Sequence, residues 1–281
     1  MRIFILGIDA LEFKLVEDFD LTNLKQSEYG KVSIPTECYT IGLKEMWTPW
    51  TPFIWSAFLT GKTPDQTGIG KLNYRKWENK ALQFLREKSA KIGLNKIKGK
   101  AKILNALGFK QRYHNRTDFK VKTVFDLARS PIDIGVPCYS KDWKFKLDSS
   151  KDDINAYFKE SLSDFKKNRA ATLNRMDEEW DLFFSYARHL DICGHLFISK
   201  RTKMWENYIL LDDFAKQIAA KLPKRTLFLI ISDHGMEQLE GSKFGKHSER
   251  AYYSSNIPLE LKAPSITDFY EIIKEKLSND Q

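Results

Sequence analysis

Four short stretches of the 281-residue chain set metal-ligand side chains where a fold could gather them. Asp9 closes the apolar run Ile3 to Ile8. Asp191-Ile-Cys-Gly-His195 offers a carboxylate and an imidazole within one predicted loop. Asp233-His234-Gly235 puts both ligand types side by side behind another apolar run, and Gly245-Lys-His247 adds a third imidazole. Taken singly, an aspartate at a strand end is commonly a turn former or helix cap, and a lone histidine is commonly a core or surface residue. Their company changes the reading, because three of only five histidines fall beside these predicted strand ends. Carboxylate oxygens with imidazoles suit Zn²⁺, with Mn²⁺ or Mg²⁺ as alternatives, and adjacent carboxylates repel unless cations neutralise them. Asp9, Asp191, His195, Asp233, His234 and His247 are enough for two ions. Two ions about 4 Å apart can clamp the attacking and leaving oxygens of an in-line displacement at phosphorus.

The nucleophile candidate is Thr51, in Trp47-Thr-Pro-Trp-Thr51-Pro-Phe-Ile-Trp-Ser-Ala-Phe-Leu-Thr-Gly61. Proline suits the first helical position, so Thr51 is predicted as the N-cap, its hydroxyl among unpaired backbone N–H groups. That helix end attracts phosphate and favours an alkoxide. Coordination to a metal would lower the hydroxyl pKa further. Thr-Pro is also an ordinary helix start, and Thr48-Pro49 is a competing copy three residues earlier.

The elements that must position these groups alternate between short apolar runs and longer helical patterns, the signature of a mostly parallel sheet flanked by helices on both faces. Strands are predicted at Arg2 to Ile8, Ile132 to Val136, Asp181 to Tyr186 and Thr226 to Ile231. Each is near-continuously apolar, as expected where both sheet faces are covered. Helices are predicted at Pro52 to Thr60, Thr123 to Ala128, Asp153 to Arg175, Lys203 to Lys221 and Ile266 to Leu277. In such sheets ligands bind at the carboxyl ends of the strands, where the candidate aspartates fall.

Net charge is +9, and it is unevenly placed. Residues 71 to 116 hold 14 Lys+Arg against only Glu78 and Glu87, so the rest of the chain is net acidic. We expect one domain over 1–281, with 71–120 as a basic helical insertion or cap within it. Three cysteines, Cys38, Cys138 and Cys193, with no CxxC spacing, argue against a disulfide framework or a cysteine zinc knot. No apolar run approaches the roughly 20 residues of a membrane span. The first apolar run is cut off by Asp9 without a cleavage site behind it, which makes the cytoplasm the expected location.

These residues resemble the type I phosphodiesterases and nucleotide pyrophosphatases of the alkaline phosphatase superfamily. The resemblance covers most of the chain outside 71–120. It rests on Gly7-Ile-Asp9, Thr51-Pro-Phe-Ile-Trp-Ser-Ala-Phe-Leu-Thr-Gly-Lys-Thr-Pro64, Thr123-Val-Phe-Asp126, Asp191 with His195, Ser232-Asp-His-Gly-Met236 and Gly245-Lys-His247. It implies an alkaline phosphatase-like α/β fold and two divalent ions, one held by Asp191, His195 and His247, the other by Asp9, Thr51, Asp233 and His234. It selects Thr51 over Thr48 as nucleophile, forming a phosphothreonine that water releases. It also points to Asn73, beside Leu72, as a substrate-binding position. The implied partner is a small-molecule or nucleotide phosphodiester.

Other readings use the same residues. A sulfatase would need a Cys-x-Pro-x-Arg setting, and nothing of that kind surrounds Thr51. A phosphomonoesterase would be expected to carry an arginine fork, yet no arginine occurs between Arg2 and Arg75. A phosphonate hydrolase or phosphoethanolamine transferase would share the metal core. A different class is a binding protein whose basic segment, residues 71–116, docks on a polyanion or an anionic membrane surface.

Overall fold

The centre of the molecule is β1 (Arg2–Ile8), buried along its length after Arg2 because apolar residues point to both faces of the sheet. Ile3 and Ile5 join one core and Phe4, Leu6 and Ile8 the other. The computed structural model describes residues 1–41, 47–69, 75–91, 104, 108–141, 143–144 and 153–278. Its sheet has six strands in the order β2 (Glu28–Val32), β12 (Ala251–Ser255), β9 (Thr226–Ile231), β1, β8 (Leu182–Ala187) and β7 (Pro131–Ile134). β9, β1, β8 and β7 run parallel, and β12 runs against both its neighbours.

The first face is covered by α2 (Thr51–Thr60) and α8 (Phe269–Ser278). The second is covered by α1 (Phe13–Asp18), α5 (Ile154–Arg175), α6 (His189–Phe197) and α7 (Arg201–Lys221). α2 is buried on every side, with Trp55 edge-on to Phe58, Phe184 and Tyr186. Fully burying a side chain of this class contributes about 1.5–3 kcal/mol, so the helix bearing Thr51 is firmly seated. α3 (Pro64–Thr67) follows it, opened by a Thr63–Gln66 capping box.

Three two-stranded ribbons stand outside the sheet: β3 (Tyr39–Ile41) with β4 (Trp47–Pro49), β5 (Arg75–Trp77) with β6 (Gln111–Tyr113), and β10 (Gly235–Gln238) with β11 (Gly245–Ser248). β5 leads into α4 (Lys80–Lys91), the described helical part of the basic segment. Asp118 ties this ribbon down through Arg112 (2.6 and 2.9 Å) and Lys76 (3.3 Å). Residues 71–74, 92–103 and 105–107 of the expected insertion lie outside the described residues. Among the described residues, no helix is long and apolar enough to cross a membrane.

Several predicted boundaries shift for identifiable reasons. The 123–128 helix is a 3-10 turn over Val124–Leu127, closed at its start by Asp126 on the Thr123 backbone. Pro131 follows close behind and keeps the chain extended before it, which prevents a longer helix. β7 stops at Ile134 because Gly135 turns into the left-handed region at φ 65°. Asp153 lies outside its helix and caps it, accepting from Ala156 N at 3.0 Å.

Candidate metal centre

Parallel pairing brings the candidate ligands to one edge of the sheet. Gly7 of β1 pairs with Tyr186 of β8 and with Ile231 of β9, so Asp9 and Asp233, each two residues further on, emerge side by side. Asp191 and His195 follow β8, but they lie on a helix rather than in the predicted loop. They occupy i and i+4 of α6 and so share one face, with Asp191 Oδ1 3.2 Å from His195 Nε2. β11 folds back against β10 and brings His247 over His234, their rings stacked at 3.7 Å and 17°. His247 Nε2 lies 3.3 Å from the same Asp191 oxygen. All six predicted ligands therefore meet.

Two glycines permit the closest approach. A Cβ on Gly245 would lie 2.4 Å from the carbonyl oxygen of Gly194, and one on Gly194 would lie 2.4 Å from Met236 Cγ. Helix α6 and strand β11 thus touch backbone to backbone, which sets His195 Nε2 3.1 Å from His247 Nε2.

The imidazoles share one arrangement. Nδ1 of His195 lies 3.0 Å from the Gly245 carbonyl, that of His247 2.9 Å from the Pro49 carbonyl, and that of His234 2.9 Å from the Gly235 carbonyl. A carbonyl only accepts, so each Nδ1 carries the proton and each Nε2 is turned inward as a donor of electrons, the orientation metal-binding histidines adopt. Facing them, Asp9 Oδ1, Asp191 Oδ1 and Asp233 Oδ2 are buried without a hydrogen bond. Buried acceptors without donors are costly, and divalent cations would satisfy all of them. Ligand atoms of Asp191, His195 and His247 form one group within 4.8 Å, and those of Asp9, Asp191 and His234 a second. Asp191 is within reach of both, and Asp233 Oδ2 stands 3.5 Å from His234 Nε2. The residues present fit bound divalent cations.

Electrostatics agree with that fit. Burial, with Asp233 and Asp191 close by, raises Asp9 well above the usual carboxylate range. Burial likewise pushes Asp233 up to about 6. Burial would raise Asp191 too, but His195 and His247 outweigh it and hold that carboxyl low. His195 is raised to about 9, its burial outweighed by Asp191. A divalent cation would take the place of that proton, and metal uptake would release it.

Thr51 is buried at the start of α2, at the first helical position rather than the predicted N-cap. The cap is Trp50, whose carbonyl accepts from Phe53 N (2.9 Å) and Ile54 N (3.1 Å) while its backbone stays extended. The Thr51 hydroxyl instead reaches across the site, 3.2 Å from His234 Nε2. Thr48 lies on β4, paired with Thr40. Asn73 is outside the described residues.

Two supporting residues carry no spacing signal in the sequence. Tyr186, buried on β8, donates its hydroxyl to Asp9 Oδ2 and thereby leaves Oδ1 facing His234 Nε2 at 3.3 Å. Glu12, three residues after Asp9, is buried beneath the β10–β11 ribbon. Both sit in otherwise apolar contexts, where residue type alone gives no hint of a partner.

A family model described as type I phosphodiesterase / nucleotide pyrophosphatase matches residues 3–253. No curated protein matches the chain. Among solved structures, murine ectonucleotide pyrophosphatase / phosphodiesterase 5 aligns at 12% identity and TM-score 0.51, over 86% of this chain and 59% of that one. Its human counterpart aligns at 13% identity and TM-score 0.49, over 85% of this chain and 58% of that one. At this identity the murine likeness speaks to the fold alone. The chain spans less than two thirds of the length of either.

Proposed function

The chain belongs to the type I phosphodiesterase / nucleotide pyrophosphatase family, and we propose that it hydrolyses phosphodiester or nucleotide pyrophosphate bonds at two divalent cations, with Thr51 as nucleophile. The observation that carries this reading is the set of three inward Nε2 atoms and three buried carboxylate oxygens beside one hydroxyl. Asp191, His195 and His247 would hold one ion, and Asp9, Asp233 and His234, with Thr51, the other. Zn²⁺ suits this mixed nitrogen and oxygen set best.

Bound there, the ions would neutralise the carboxylates and withdraw charge from the Thr51 hydroxyl and the oxygens on phosphorus. The chain supplies position. α2 holds Thr51 rigidly, and the positive end of its macrodipole favours an anionic group there. The Thr51 Oγ1 gives up its proton and bonds to phosphorus as the bond to the leaving oxygen breaks and that oxygen takes up a proton; water then cleaves the esterified phosphothreonine, releasing the phosphomonoester and restoring the hydroxyl.

The test uses bis(p-nitrophenyl) phosphate and a nucleotide pyrophosphate with Zn²⁺, Mn²⁺ and Mg²⁺ in turn. Thr51→Ala is expected to fold and take up metal but to lose about 10³-fold or more in turnover. Acid quenching of the parent protein is expected to trap the p-nitrophenyl phosphoryl group, or the nucleotidyl group, on the peptide containing Thr51. Parental turnover by Thr51→Ala, or no uptake of divalent metal by the parent protein, would refute the proposal.

A further inference from the structure

Glu12 is 2% exposed and receives hydrogen bonds from three elements. Its Oε2 accepts from Met236 N on β10 at 3.0 Å and from Ser248 Oγ on β11 at 2.6 Å. Its Oε1 accepts from Arg250 Nε at 2.5 Å, just past β11, and from Lys14 N at 3.3 Å at the start of α1. Arg250 also reaches Glu237 at 3.1 Å, closing the ribbon from the side.

The register shows what this carboxylate does. Gly235 opposes Ser248, and Met236 opposes His247, so Ser248 and His247 point to opposite faces of the ribbon. Glu12 grips the rear face; His247 stands on the front, over His234. A Cβ on Gly235 would lie 2.3 Å from Glu12 Oε2. The glycine of Ser232-Asp-His-Gly235 is therefore the residue that leaves room for the grip. Glu12 itself is fixed near Asp9: its backbone N–H donates to Tyr208 Oη at 3.0 Å, and Leu11 N donates to Ser232 Oγ at 3.0 Å.

We propose that Glu12 is a positioning residue that locks the β10–β11 ribbon to the end of β1 and so sets His247 at the ion it shares with Asp191 and His195. The inference rests on the two-cation reading above. A surface ribbon joined by few backbone bonds has weak intrinsic stability, so a buried charge-assisted anchor decides where its histidine stands. Glu12 touches no proposed ligand side chain. It acts through Met236, Ser248 and Arg250.

The experiment measures Zn²⁺ affinity and stoichiometry by competition with a chromophoric chelator, on Glu12→Ala, Glu12→Gln, His247→Ala and the Glu12→Ala/His247→Ala pair, with far-UV circular dichroism as the control for folding. Glu12→Ala is expected to weaken one of two ions by about 10-fold or more, the size of effect seen for groups that orient metal ligands, and to leave the other unchanged. Added to His247→Ala it is expected to cost little more, because the grip matters only through that imidazole. Glu12→Gln, which keeps the shape but brings an N–H against Met236 N or Arg250, is expected to fall between, and it carries the test should Glu12→Ala fail to fold. Two ions bound with parental affinity, equal weakening of both ions, or full additivity with His247→Ala would each overturn the proposal. A parent protein that takes up no Zn²⁺ would instead sink the two-cation reading and this inference with it.

Discussion

Gly245→Ala is the sharpest perturbation of the site that leaves every proposed ligand in place. The new methyl would meet the Gly194 carbonyl oxygen at 2.4 Å, the Gly194 carbonyl carbon at 2.9 Å and Met236 Sδ at 2.9 Å. Carbon–oxygen contacts in proteins settle at about 3.3 Å or more, so α6 and β11 must part by nearly 1 Å. Two of the three obstacles are backbone and cannot rotate away. Overpacking of this kind typically costs about 1–3 kcal/mol. The same displacement separates His195 from His247, so the variant should also lose affinity for the ion between them. Urea unfolding with and without saturating Zn²⁺ reads both effects: the parent gains stability from metal as RT ln(1 + [L]/Kd), and the variant should gain about 1.4 kcal/mol less for each tenfold loss of affinity. Gly241→Ala is the control, since nothing lies within 4 Å of its Cβ although its φ is 67°. It should pay only the left-handed backbone term, about 1 kcal/mol, and keep the full metal increment. An unchanged metal increment in Gly245→Ala would refute the argument that glycine contact sets the histidine spacing.

Two further predictions concern groups outside the ligand set. His189 is buried between Ser161 Oγ (2.6 Å) and Asn207 Oδ1 (2.8 Å), and burial lowers it to about 4, with Asn207 opposing. Its unfolded value is near 6.5, so between about 6.5 and 4 the unfolded chain binds the extra proton and stability falls as pH falls. His189→Gln should therefore remove about 2 kcal/mol of the stability difference between pH 7 and pH 5, measured by urea unfolding; an unchanged difference would contradict a neutral buried imidazole. Cys38, Cys138 and Cys193 are all buried, and burial pushes the Cys38 thiol up to about 12 and the other two higher. None should react with a disulfide reagent at pH 8 until denaturant is added, and rapid native labelling of any of them would count against the packing described.

Much of this was legible in the residues. The strands β1 and β9 announce themselves because both faces of a buried parallel strand must be apolar, and Asp9 and Asp233 stand out as the polar residues that end them. The pairing of ligand types along the chain, Asp191 with His195 and Asp233 with His234, was enough to suggest cations. What the sequence hid has physical causes. Asp191-Ile-Cys-Gly-His195 reads as a loop because of its glycine, yet it is a helix whose glycine serves contact with β11. Thr51 reads as a cap because Pro52 follows, but one residue of difference passes that role to Trp50. Glu12 and Tyr186 act through partners more than 170 positions away, Ser248 and Asp9, and no local pattern encodes such a partner.

The placement of β1 between β8 and β9 governs when the site can exist. During synthesis β1 leaves the ribosome well before its two neighbours, since β8 and β9 follow it by more than 170 and more than 210 residues. Until then an apolar strand waits unpaired, a slow-folding topology exposed to wrong associations. The proposed ligands are spread from Asp9 to His247, so both proposed ion sites would be complete only once the sheet has closed and β11 has folded back; a product stalled before His247 would lack a ligand of the ion proposed beside Asp191 and His195.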